Sequence, residues 1–430
     1  MPVDVLTGLQ WGDEGKGKIV DILSESVDAV ARFSGGGNAG HTVSVGPDLS
    51  FVLHHLPTGL LRENVEGLIG SGCVIDPGAL LGEMGELAGA GLPVDRGRLL
   101  ISAGAHLVHP VYRVVEKWDE ARRGDSSIGT TARGIGPCYA EKYWRRGIRL
   151  EDAAFEQGLR HKAREQLEYH LDAMGGSAPS GSDLSALRDA TGRFVEASLA
   201  LLDYAGDVSL RIADILESGG SVLAEGAQGA LLDPDHGTYP YVTGGSCTAG
   251  GACSGLGIGP RSIGQVVGVM KAYSTRVGAG PFPTELPNET GDRIRERGGE
   301  YGATTGRPRR CGWLDGVLAR YAVRLNGCSW VALTLLDVLS GFEKLRVCNR
   351  YELDPEASAG IFERGARMAL HRPFYRELDG WEEEIRGMTS WDALPRKARD
   401  YVLYLEELIG VPIGLVSTGP GRSEIIRRDV

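Results

Sequence analysis

The chain has 430 residues, with 57 Asp and Glu against 46 Lys and Arg, for a formal net charge of −11. This acidic balance argues against a nucleic-acid-binding surface, and no apolar run of about 18 residues suggests a membrane span. The seven cysteines include no C-x-x-C pair, which indicates reduced thiols rather than a disulfide framework or a zinc site. We therefore expect a soluble cytoplasmic protein that binds neither nucleic acid nor membrane.

A glycine loop near the N-terminus, Gly8 to Lys18, is the first stretch with evident chemistry. The apolar run Val3 to Thr7 before it predicts a buried strand, and Ile19 to Leu23 after it predicts a helix. Strand, glycine loop and helix is the context of a phosphate-binding loop, in which backbone N–H groups and the helix N-terminus bind phosphate oxygens. The pattern G-x-x-x-x-G-K is formed by Gly12, Gly17 and Lys18.

The residue after this pattern departs from an ordinary phosphate loop. Ile19 stands where the Ser or Thr that holds Mg²⁺ is usual. If the Mg²⁺ of a nucleotide binds here, another oxygen must hold it, and Asp13 is the nearest hard ligand. The alternative is a glycine-rich turn with solvated charges.

A second glycine loop, residues 34 to 42, follows the predicted strand Val27 to Phe33. Its glycines would let Asn38, His41 and the carbonyl of Gly40 face a ligand beside the first loop. His41 titrates near neutrality, so it could donate a proton or stabilise a negative oxygen. The alternative is a structural histidine.

Short apolar runs alternate with helical patterns along the rest of the chain, which predicts an α/β fold with a large, mostly parallel central sheet flanked by helices. Residues 151–218 are an exception, because their periodicity predicts a mainly helical insertion in a single domain spanning 1–430. Strands are predicted at Ser50 to Leu56, Gly67 to Ile75, Leu99 to Ala103, Ser221 to Glu225, Val266 to Tyr273, Trp330 to Asp337 and Val411 to Val416, and helices at Ala79 to Ala88 and Val111 to Arg122.

Two polar loops concentrate hydroxyls and cations. The first contains Thr130, Thr131 and Arg133, with Arg145 shortly after it, and could bind a phosphate monoester or be a solvated loop. The second, Gly302 to Arg310, could bind a dicarboxylate or a phosphate, and composition does not choose between them.

Taken in order, these blocks closely resemble the adenylosuccinate synthetase family from residue 4 to about 425. The resemblance implies a P-loop-NTPase-like α/β fold and a homodimer that condenses IMP with L-aspartate through a 6-phosphoryl-IMP intermediate. GTP hydrolysis drives the reaction and Mg²⁺ is the cofactor. The matching blocks are Gln10 to Lys18, Gly35 to Thr42, Gly129 to Pro137, Glu225 to Thr243, Ala272 to Glu285, Thr304 to Arg310 and Ser417 to Pro420.

The resemblance also assigns roles to residues of this chain. It implies catalytic roles for Asp13, His41 and Gln228, and metal binding by Asp13 and the carbonyl of Gly40. The residues implied to contact GTP are Gly12, Glu14, Gly15, Lys16, Gly17, Lys18, Gly40, Thr42, Asp337, Ser417 and Gly419. Those implied to contact IMP are Asp13, Asn38, Thr131, Arg145 from the partner subunit, Gln228, Leu232, Thr243 and Arg307. Those implied to contact aspartate are Thr304, Thr305, Arg307 and Arg309.

Two departures from the family pattern leave alternatives open. Leu335 stands where the family usually has a lysine over the guanine base, and Gly244 to Cys247 replaces a more polar Ser-Ser-Asn-Thr run. One alternative is a paralogue that aminates a related purine nucleotide such as dGMP. Another is a GTP-binding protein without ligase activity.

Overall fold

The computed structural model describes residues 2–46, 49–302, 306–352, 368 and 371–429. Its helices are α1 Lys16–Leu23, α2 Pro77–Gly89, α3 Pro110–Arg123, α4 Ile135–Trp144, α5 Glu156–Met174, α6 Gly181–Leu201, α7 Val208–Glu217, α8 Gly251–Leu256, α9 Glu289–Gly298, α10 Gly316–Asn326 and α11 Arg396–Ile409. Its strands are β1 Val3–Gly8, β2 Ala29–Arg32, β3 His41–Ser44, β4 Ser50–Leu53, β5 Glu66–Ile69, β6 Val74–Ile75, β7 Leu99–Ser102, β8 His106–Leu107, β9 Ala205–Gly206, β10 Val222–Glu225, β11 Ile263–Lys271, β12 Ser274–Arg276, β13 Arg310–Gly312, β14 Leu314–Asp315, β15 Trp330–Thr334, β16 Lys344–Glu352, β17 Arg372–Asp379, β18 Ile413–Ser417 and β19 Ile425–Arg427.

A ten-stranded sheet forms the centre of the fold, in the order β19-β18-β15-β11-β1-β10-β2-β5-β7-β9. Among these described strands, every neighbouring pair is parallel except β18 with β19 at one edge. The α/β fold with a large, mostly parallel sheet is therefore confirmed. Because the strands are parallel, the loops that follow β1, β2, β10, β11 and β15 emerge at the same edge.

Helices cover both faces of this sheet because its central strands are apolar on both sides. In β1, Val5 packs into a cluster with residues of α10 and α11, whereas the next residue, Leu6, packs with Val20 of α1 on the opposite face. Alternation of this kind is what a strand buried on both faces requires. The packing of α1 against β1 fixes the position of the glycine loop that joins them.

Several sequence predictions need correction in their details. The run predicted as a strand at Ser50 to Leu56 is outside the central sheet: β4 pairs antiparallel with β3 in a separate hairpin. The run Gly67 to Ile75 divides into β5, which joins the central sheet, and β6, which pairs with β8. These short strands are set by non-local pairing, which local periodicity does not reveal.

Residues 151–218 contain α5, α6 and α7, together with the two-residue strand β9 that extends the central sheet next to β7. Leu159 of α5 and Phe194 of α6 share an apolar cluster with Leu80 of α2. This packing joins the helices to the rest of the fold. Across the described ranges, none of the helices is both long enough and apolar enough to cross a membrane.

Candidate active site

A cleft of about 450 Å³ lies at the edge of the sheet where the loops after the parallel strands meet. Residues from both glycine loops line it, and so do residues that follow β10, β11 and β15. Ligands of open α/β sheets bind at this edge. The predicted site residues are therefore expected to line this cleft.

The first glycine loop is folded around a buried carboxylate. Glu14 is fully buried and accepts hydrogen bonds from the backbone N–H groups of Gln10 and Gly12, at 3.0 Å each. Its other oxygen accepts from Nζ of Lys16 at 2.5 Å. The Glu14 side chain thus shapes the loop from inside, and Gly15, with a φ of 80°, turns the chain into α1.

The two lysines of this loop have different surroundings. Lys16 lines the cleft, whereas Nζ of Lys18 donates to Ser417 Oγ at 2.8 Å, to the carbonyl of Gly419 at 2.7 Å and to the carbonyl of Glu424 at 2.8 Å. Burial lowers the pKa of Lys18 to about 8, although Glu424 and Asp337 raise it. Lys18 therefore ties the glycine loop to the loop after β18, and Lys16 is the lysine that faces the cleft.

His41 is held by a buried glutamate. Its Nδ1 contacts Oε1 of Glu225, and Glu225 also accepts from the backbone N–H and hydroxyl of Thr58 at 2.8 and 2.7 Å. Burial lowers the pKa of His41, while Glu225 opposes that shift. Burial also disfavours the charged form of Glu225, yet His41 and Arg32 hold the pKa of Glu225 below its ordinary value.

The other ring nitrogen of His41, Nε2, is buried and makes no hydrogen bond within the described residues. His41 lines the cleft, so this nitrogen can serve a ligand. A carboxylate on one nitrogen and a ligand on the other is the arrangement in which histidine exchanges or holds a proton. The ring reaches this position because α1 has a glycine, Gly17, where a Cβ would come within 2.9 Å of the His41 Cβ.

The carboxylate of Asp13 forms an ion pair with Arg309, which lies across the cleft from it. One of its carboxylate oxygens is 2.9 Å from Nε of Arg309, and about a third of the Asp13 side chain is exposed. Nη1 of Arg309 donates to the buried Glu300 at 2.7 Å. Arg309 thus bridges an exposed and a buried carboxylate.

Three residues that line the cleft have left-handed backbone conformations without being glycine. They are Asp13 with a φ of 59°, Gln228 with 55° and Leu335 with 58°. Such conformations cost energy and concentrate at functional sites. Gln228 also donates from Nε2 to Oδ1 of Asn38 at 3.2 Å, which joins the second glycine loop to the segment after β10.

Asp13 and Gly40 have donors that suit a hard cation. Both line the cleft, and they offer a carboxylate and a backbone carbonyl. Across the described ranges, no group of three or more His, Cys, Asp and Glu is arranged to hold a metal. Two protein oxygens fit Mg²⁺, which keeps several waters and takes phosphate oxygens from a nucleotide.

Gly229 packs against the backbone of the first glycine loop so closely that no side chain fits there. A Cβ there would lie 2.3 Å from the carbonyl oxygen of Gln10 and 2.7 Å from the backbone N of Gly12. Backbone cannot move aside as a flexible side chain can, so Gly229→Ala should destabilise the fold by about 1–3 kcal/mol or more. Urea denaturation measures the loss. Gly85→Ala in α2 is the control, because a Cβ there meets nothing within 4 Å and the substitution should stabilise the fold slightly. Equal changes in the free energy of unfolding for the two variants would contradict the prediction.

The structure brings many of the predicted site residues together. Those that line the cleft are Gly12, Asp13, Gly15, Lys16, Gly17, Asn38, Gly40, His41, Thr42, Thr131, Gln228, Leu232, Thr243 and Arg309. Glu14 lies beneath the loop, as described above, and Lys18, Ser417 and Gly419 form the tether beside it. Thr304 and Thr305 lie outside the described residues.

Three further predicted residues are not among those that line the cleft, although Nη1 of Arg307 would lie 3.6 Å from a Cβ at Gly129, which does line it. Arg307 is exposed, on the hairpin between Tyr301 and Pro308. Arg145 is exposed at the C-terminal end of α4, with a φ of 63°. Asp337 follows β15, and its Oδ1 is buried without a hydrogen-bond partner among the described residues.

A sequence model of the adenylosuccinate synthetase family matches residues 5–426. The chain belongs to this family. It is accordingly an enzyme of the ligase type that the family comprises, in purine biosynthesis. The match covers both glycine loops, the residues around His41 and Glu225, and the hairpin that ends at Arg309.

Individual relatives agree with this assignment. The adenylosuccinate synthetase of Salinibacter ruber is 48% identical over 433 residues, which cover 99% of this chain and 98% of the relative. That of Mycobacterium tuberculosis is 48% identical over 438 residues, covering 100% and 99%. The structure of fully ligated adenylosuccinate synthetase from Plasmodium falciparum superposes with a TM-score of 0.93 at 38% identity, covering 100% of both chains.

A more distant structure shares the fold alone. The succinoaminodeoxyadenylate synthetase of cyanophage S-2L, bound to dGMP and dATP as an energy donor, has a TM-score of 0.61 at 21% identity and covers 100% of this chain and 96% of its own. The identities of 38–48% to adenylosuccinate synthetases therefore favour the IMP ligase over the dGMP-type alternative.

The departure at Gly244 to Cys247 has a packing explanation. A Cβ at Gly244 would come within 2.9 Å of the ring of Tyr139, and one at Gly245 within 2.5 Å of its hydroxyl. That hydroxyl donates to the carbonyl of Gly72 at 2.8 Å. The two glycines thus leave room for a buried tyrosine.

Sequence reasoning assigned no role to Glu225, Glu300 or Lys271. Glu225 and Lys271 are charged residues at the ends of the apolar strands β10 and β11, whereas Glu300 follows α9 in a polar stretch, and all three are buried. A charge inside an apolar run is a usable signal, since buried charges are almost always paired. Their partners, however, come from distant parts of the chain.

Proposed function

We propose that this protein condenses IMP with L-aspartate to form adenylosuccinate, with hydrolysis of GTP to GDP and phosphate and with Mg²⁺ as cofactor. The observation that carries the proposal is that one cleft is lined by the Asp13–Arg309 pair and by His41, whose ring contacts the buried Glu225. Together they offer a base, an acid and a carboxylate-binding cation. A GTP-binding protein without ligase activity has no need of all three.

In the first step, Asp13 accepts the proton from N1 of IMP, and O6 becomes an oxyanion. O6 then bonds to the γ-phosphorus of GTP while the bond from that phosphorus to GDP breaks. His41 stabilises the transferring phosphoryl group through Nε2. A positioned base contributes about 10²–10⁴-fold to such a rate, and the remainder comes from positioning and charge.

In the second step, the amine of aspartate bonds to C6, the C6–O6 bond breaks, and phosphate leaves with both O6 electrons. The amine gives up one proton to the departing phosphate, which leaves a neutral nitrogen on C6. Because phosphate is a far better leaving group than hydroxide, the first step prepares the second.

The protonation of His41 depends on its ligand. Burial lowers its pKa, but Glu225 on Nδ1 favours the charged ring. The phosphates of a nucleotide next to Nε2 would add negative charge, which raises the pKa. We therefore expect the His41 ring to gain a proton when the donor nucleotide binds. The protonated Nε2 then donates a hydrogen bond to the phosphoryl oxygens.

In this proposal, residues of the cleft lining supply most of the contacts to the acceptor and the amino acid. Asn38, Thr131, Gln228, Leu232 and Thr243 contact IMP in this proposal, together with Arg307. Arg309 binds a carboxylate of aspartate, because guanidinium presents a planar pair of donors to carboxylates. Thr304 and Thr305 complete the aspartate site.

The donor site extends from the glycine loop towards Asp337. The loop glycines, Lys16 and Thr42 bind the phosphates, assisted by the N-terminus of α1. Asp337 accepts from the N–H donors of guanine, a role supported by its Oδ1, which has no hydrogen-bond partner in the part of the chain that the structure describes. Lys18 supports the base-binding side by holding Ser417 and Gly419 in place.

Mg²⁺ supplies charge neutralisation for the phosphoryl group when it is bound. Asp13 and the Gly40 carbonyl would hold it, with waters and phosphate oxygens in the other positions. The side chain of Ile19 offers no oxygen, so the metal site would use both glycine loops.

The proposed assembly is a cytoplasmic homodimer in which Arg145 reaches the phosphate of IMP in the partner's cleft. Tyr143 and Trp144, which precede Arg145, are 74% and 66% exposed. Large exposed aromatic side chains in adjacent positions are typical of protein interfaces.

The activity is tested by incubating the protein with IMP, GTP, Mg²⁺ and aspartate and following the absorbance of adenylosuccinate. Parallel reactions replace IMP with dGMP, or GTP with ATP. We expect product with IMP and GTP. Product only with dGMP would overturn the IMP assignment, and GTP binding without product from any acceptor would indicate a binding protein.

Leu335 provides a separate prediction about the donor base. A cation over an aromatic base contributes about 0.5–2 kcal/mol, so Leu335→Lys should tighten GTP binding by about two- to thirtyfold. Equilibrium dialysis with GTP measures the change. Leu403→Lys is the control, because Leu403 lies on α11 and is 46% exposed. Unchanged or weaker GTP binding in Leu335→Lys would place the base elsewhere.

A further inference from the structure

Glu300 is a buried carboxylate to which the proposed reaction gives no part. Only 1% of its side chain is exposed, and it lies at the margin of the cleft. It accepts hydrogen bonds from Nζ of Lys271 at 2.7 Å, from the hydroxyl of Tyr273 at 2.5 Å and from Nη1 of Arg309 at 2.7 Å. A buried carboxylate with this many donors is fixed in place.

The charges around Glu300 balance only when Asp13 is included. Lys271 and Arg309 are two cations, and Glu300 with Asp13 supplies two anions. Since an unpaired buried charge is costly, the four groups form one electrostatic unit. The unit reaches from the interior of the fold to the base of the proposed reaction.

Glu300 also joins two parts of the backbone. The N–H of Arg309 donates to the carbonyl of Glu300 at 2.9 Å, so the two residues form the base of a hairpin whose next bridge joins Tyr301 to Pro308. Lys271 is the last residue of β11 and is fully buried in the central sheet. Through Lys271, the hairpin base is attached to the sheet.

Arg309 is held more firmly on one side than on the other. Towards Glu300 it makes a hydrogen bond, whereas its Nε, 2.9 Å from the Asp13 carboxylate, has no hydrogen bond of good geometry within the described residues. The contact with Asp13 is thus an ion pair. The hydrogen bond from Arg309 to Glu300 sets how far the guanidinium lies from the Asp13 carboxylate. A substrate carboxylate can compete with Asp13 for Arg309.

We propose that Glu300 is a positioning residue for the ligation: braced by Lys271 and Tyr273, it holds the guanidinium of Arg309 at the distance from Asp13 that both the base and the carboxylate of aspartate require. This inference rests on the proposed function. Glu300 itself contacts no substrate. Its loss should therefore affect kcat and the KM for aspartate, and leave IMP and GTP binding unchanged.

The test is Glu300→Gln, which keeps the shape and removes the charge. We expect kcat to fall about 10–100-fold and the KM for aspartate to rise about tenfold, in keeping with the cost of a misplaced catalytic group. The dissociation constant for IMP, measured by calorimetry without turnover, should not change. Glu406→Gln is the matched control, because Glu406 pairs with Arg428 at 2.7 Å, the same distance as Glu300 to Arg309, outside the cleft.

A double-mutant cycle shows whether Glu300 acts through Arg309. In an Arg309→Lys background, Glu300→Gln should have little further effect on kcat; additive losses would overturn the inference. Tyr273→Phe removes one brace without changing any charge, and serves if Glu300→Gln does not fold. It should show smaller changes in the same directions, a lower kcat and a higher KM for aspartate, and wild-type kinetics in Tyr273→Phe would overturn the inference.

The failure of this inference can be told from the failure of the proposed function. If the wild-type protein forms product and Glu300→Gln behaves like Glu406→Gln, the positioning role is wrong and the ligase activity stands. If the wild-type protein forms no product from IMP, GTP and aspartate, the proposed function is wrong, and the inference is overturned with it.

Discussion

Asp13→Asn should reduce kcat about 10³-fold or more, because the variant loses the base for N1 of IMP and a charged oxygen for Mg²⁺. Asn is a suitable replacement, since Asn and Asp are the non-glycine residues that best tolerate the left-handed conformation found at Asp13. The backbone of the glycine loop should therefore be preserved. Steady-state kinetics with saturating IMP, GTP and aspartate measure the loss.

The control for this variant is Asp235→Asn, which removes an exposed carboxylate from the segment after β10. It should leave kcat unchanged. IMP binding to Asp13→Asn, measured by calorimetry, shows that the cleft is intact. A kcat within about tenfold of the wild-type value would contradict the role of Asp13 as the base.

His41→Asn should reduce kcat about 10²–10³-fold while GTP and IMP still bind, because the transferring phosphoryl group loses its charged donor. Asparagine is too short to place a donor where Nε2 lies and to reach Glu225 as well. Turnover and equilibrium GTP binding are measured on the same preparation.

His161→Asn is the control for the histidine variant, since His161 lies on α5 and its side chain is 69% exposed. It should behave as the wild type. If His41→Asn lost GTP binding to the same extent as turnover, His41 would be a binding residue, and the proposed role in the phosphoryl step would be wrong.

The sequence predicts the fold well where a local pattern suffices. The run Val3 to Thr7 is β1, and the helix expected after the glycine loop is α1, because a buried parallel strand and the helix that covers it both have strong apolar patterns. The hairpin of β3 and β4 was not predicted. It pairs His41 with Leu53, and it was missed although Gly46-Pro47-Asp48 between the two strands is a usual turn signal.

Within the candidate site, the residues of the glycine loops were identified from the sequence, but their pairings with buried groups were not. His41 stands out in a polar loop, but Glu225, its partner, is 184 positions away in a strand. Likewise Lys18 fits the phosphate-loop pattern, while its bonds to Ser417 and Gly419 depend on a sheet order that places β18 near α1. Tertiary pairing of this kind has no local signature in a single sequence.

The central claim, that the reaction passes through phosphorylation of O6 of IMP, is tested most directly with IMP labelled with ¹⁸O at position 6. Turnover with unlabelled GTP and aspartate is followed by mass analysis of the phosphate released. If O6 attacks the γ-phosphorus and leaves with it, every phosphate carries the label. Label found in water, with unlabelled phosphate, would contradict the account.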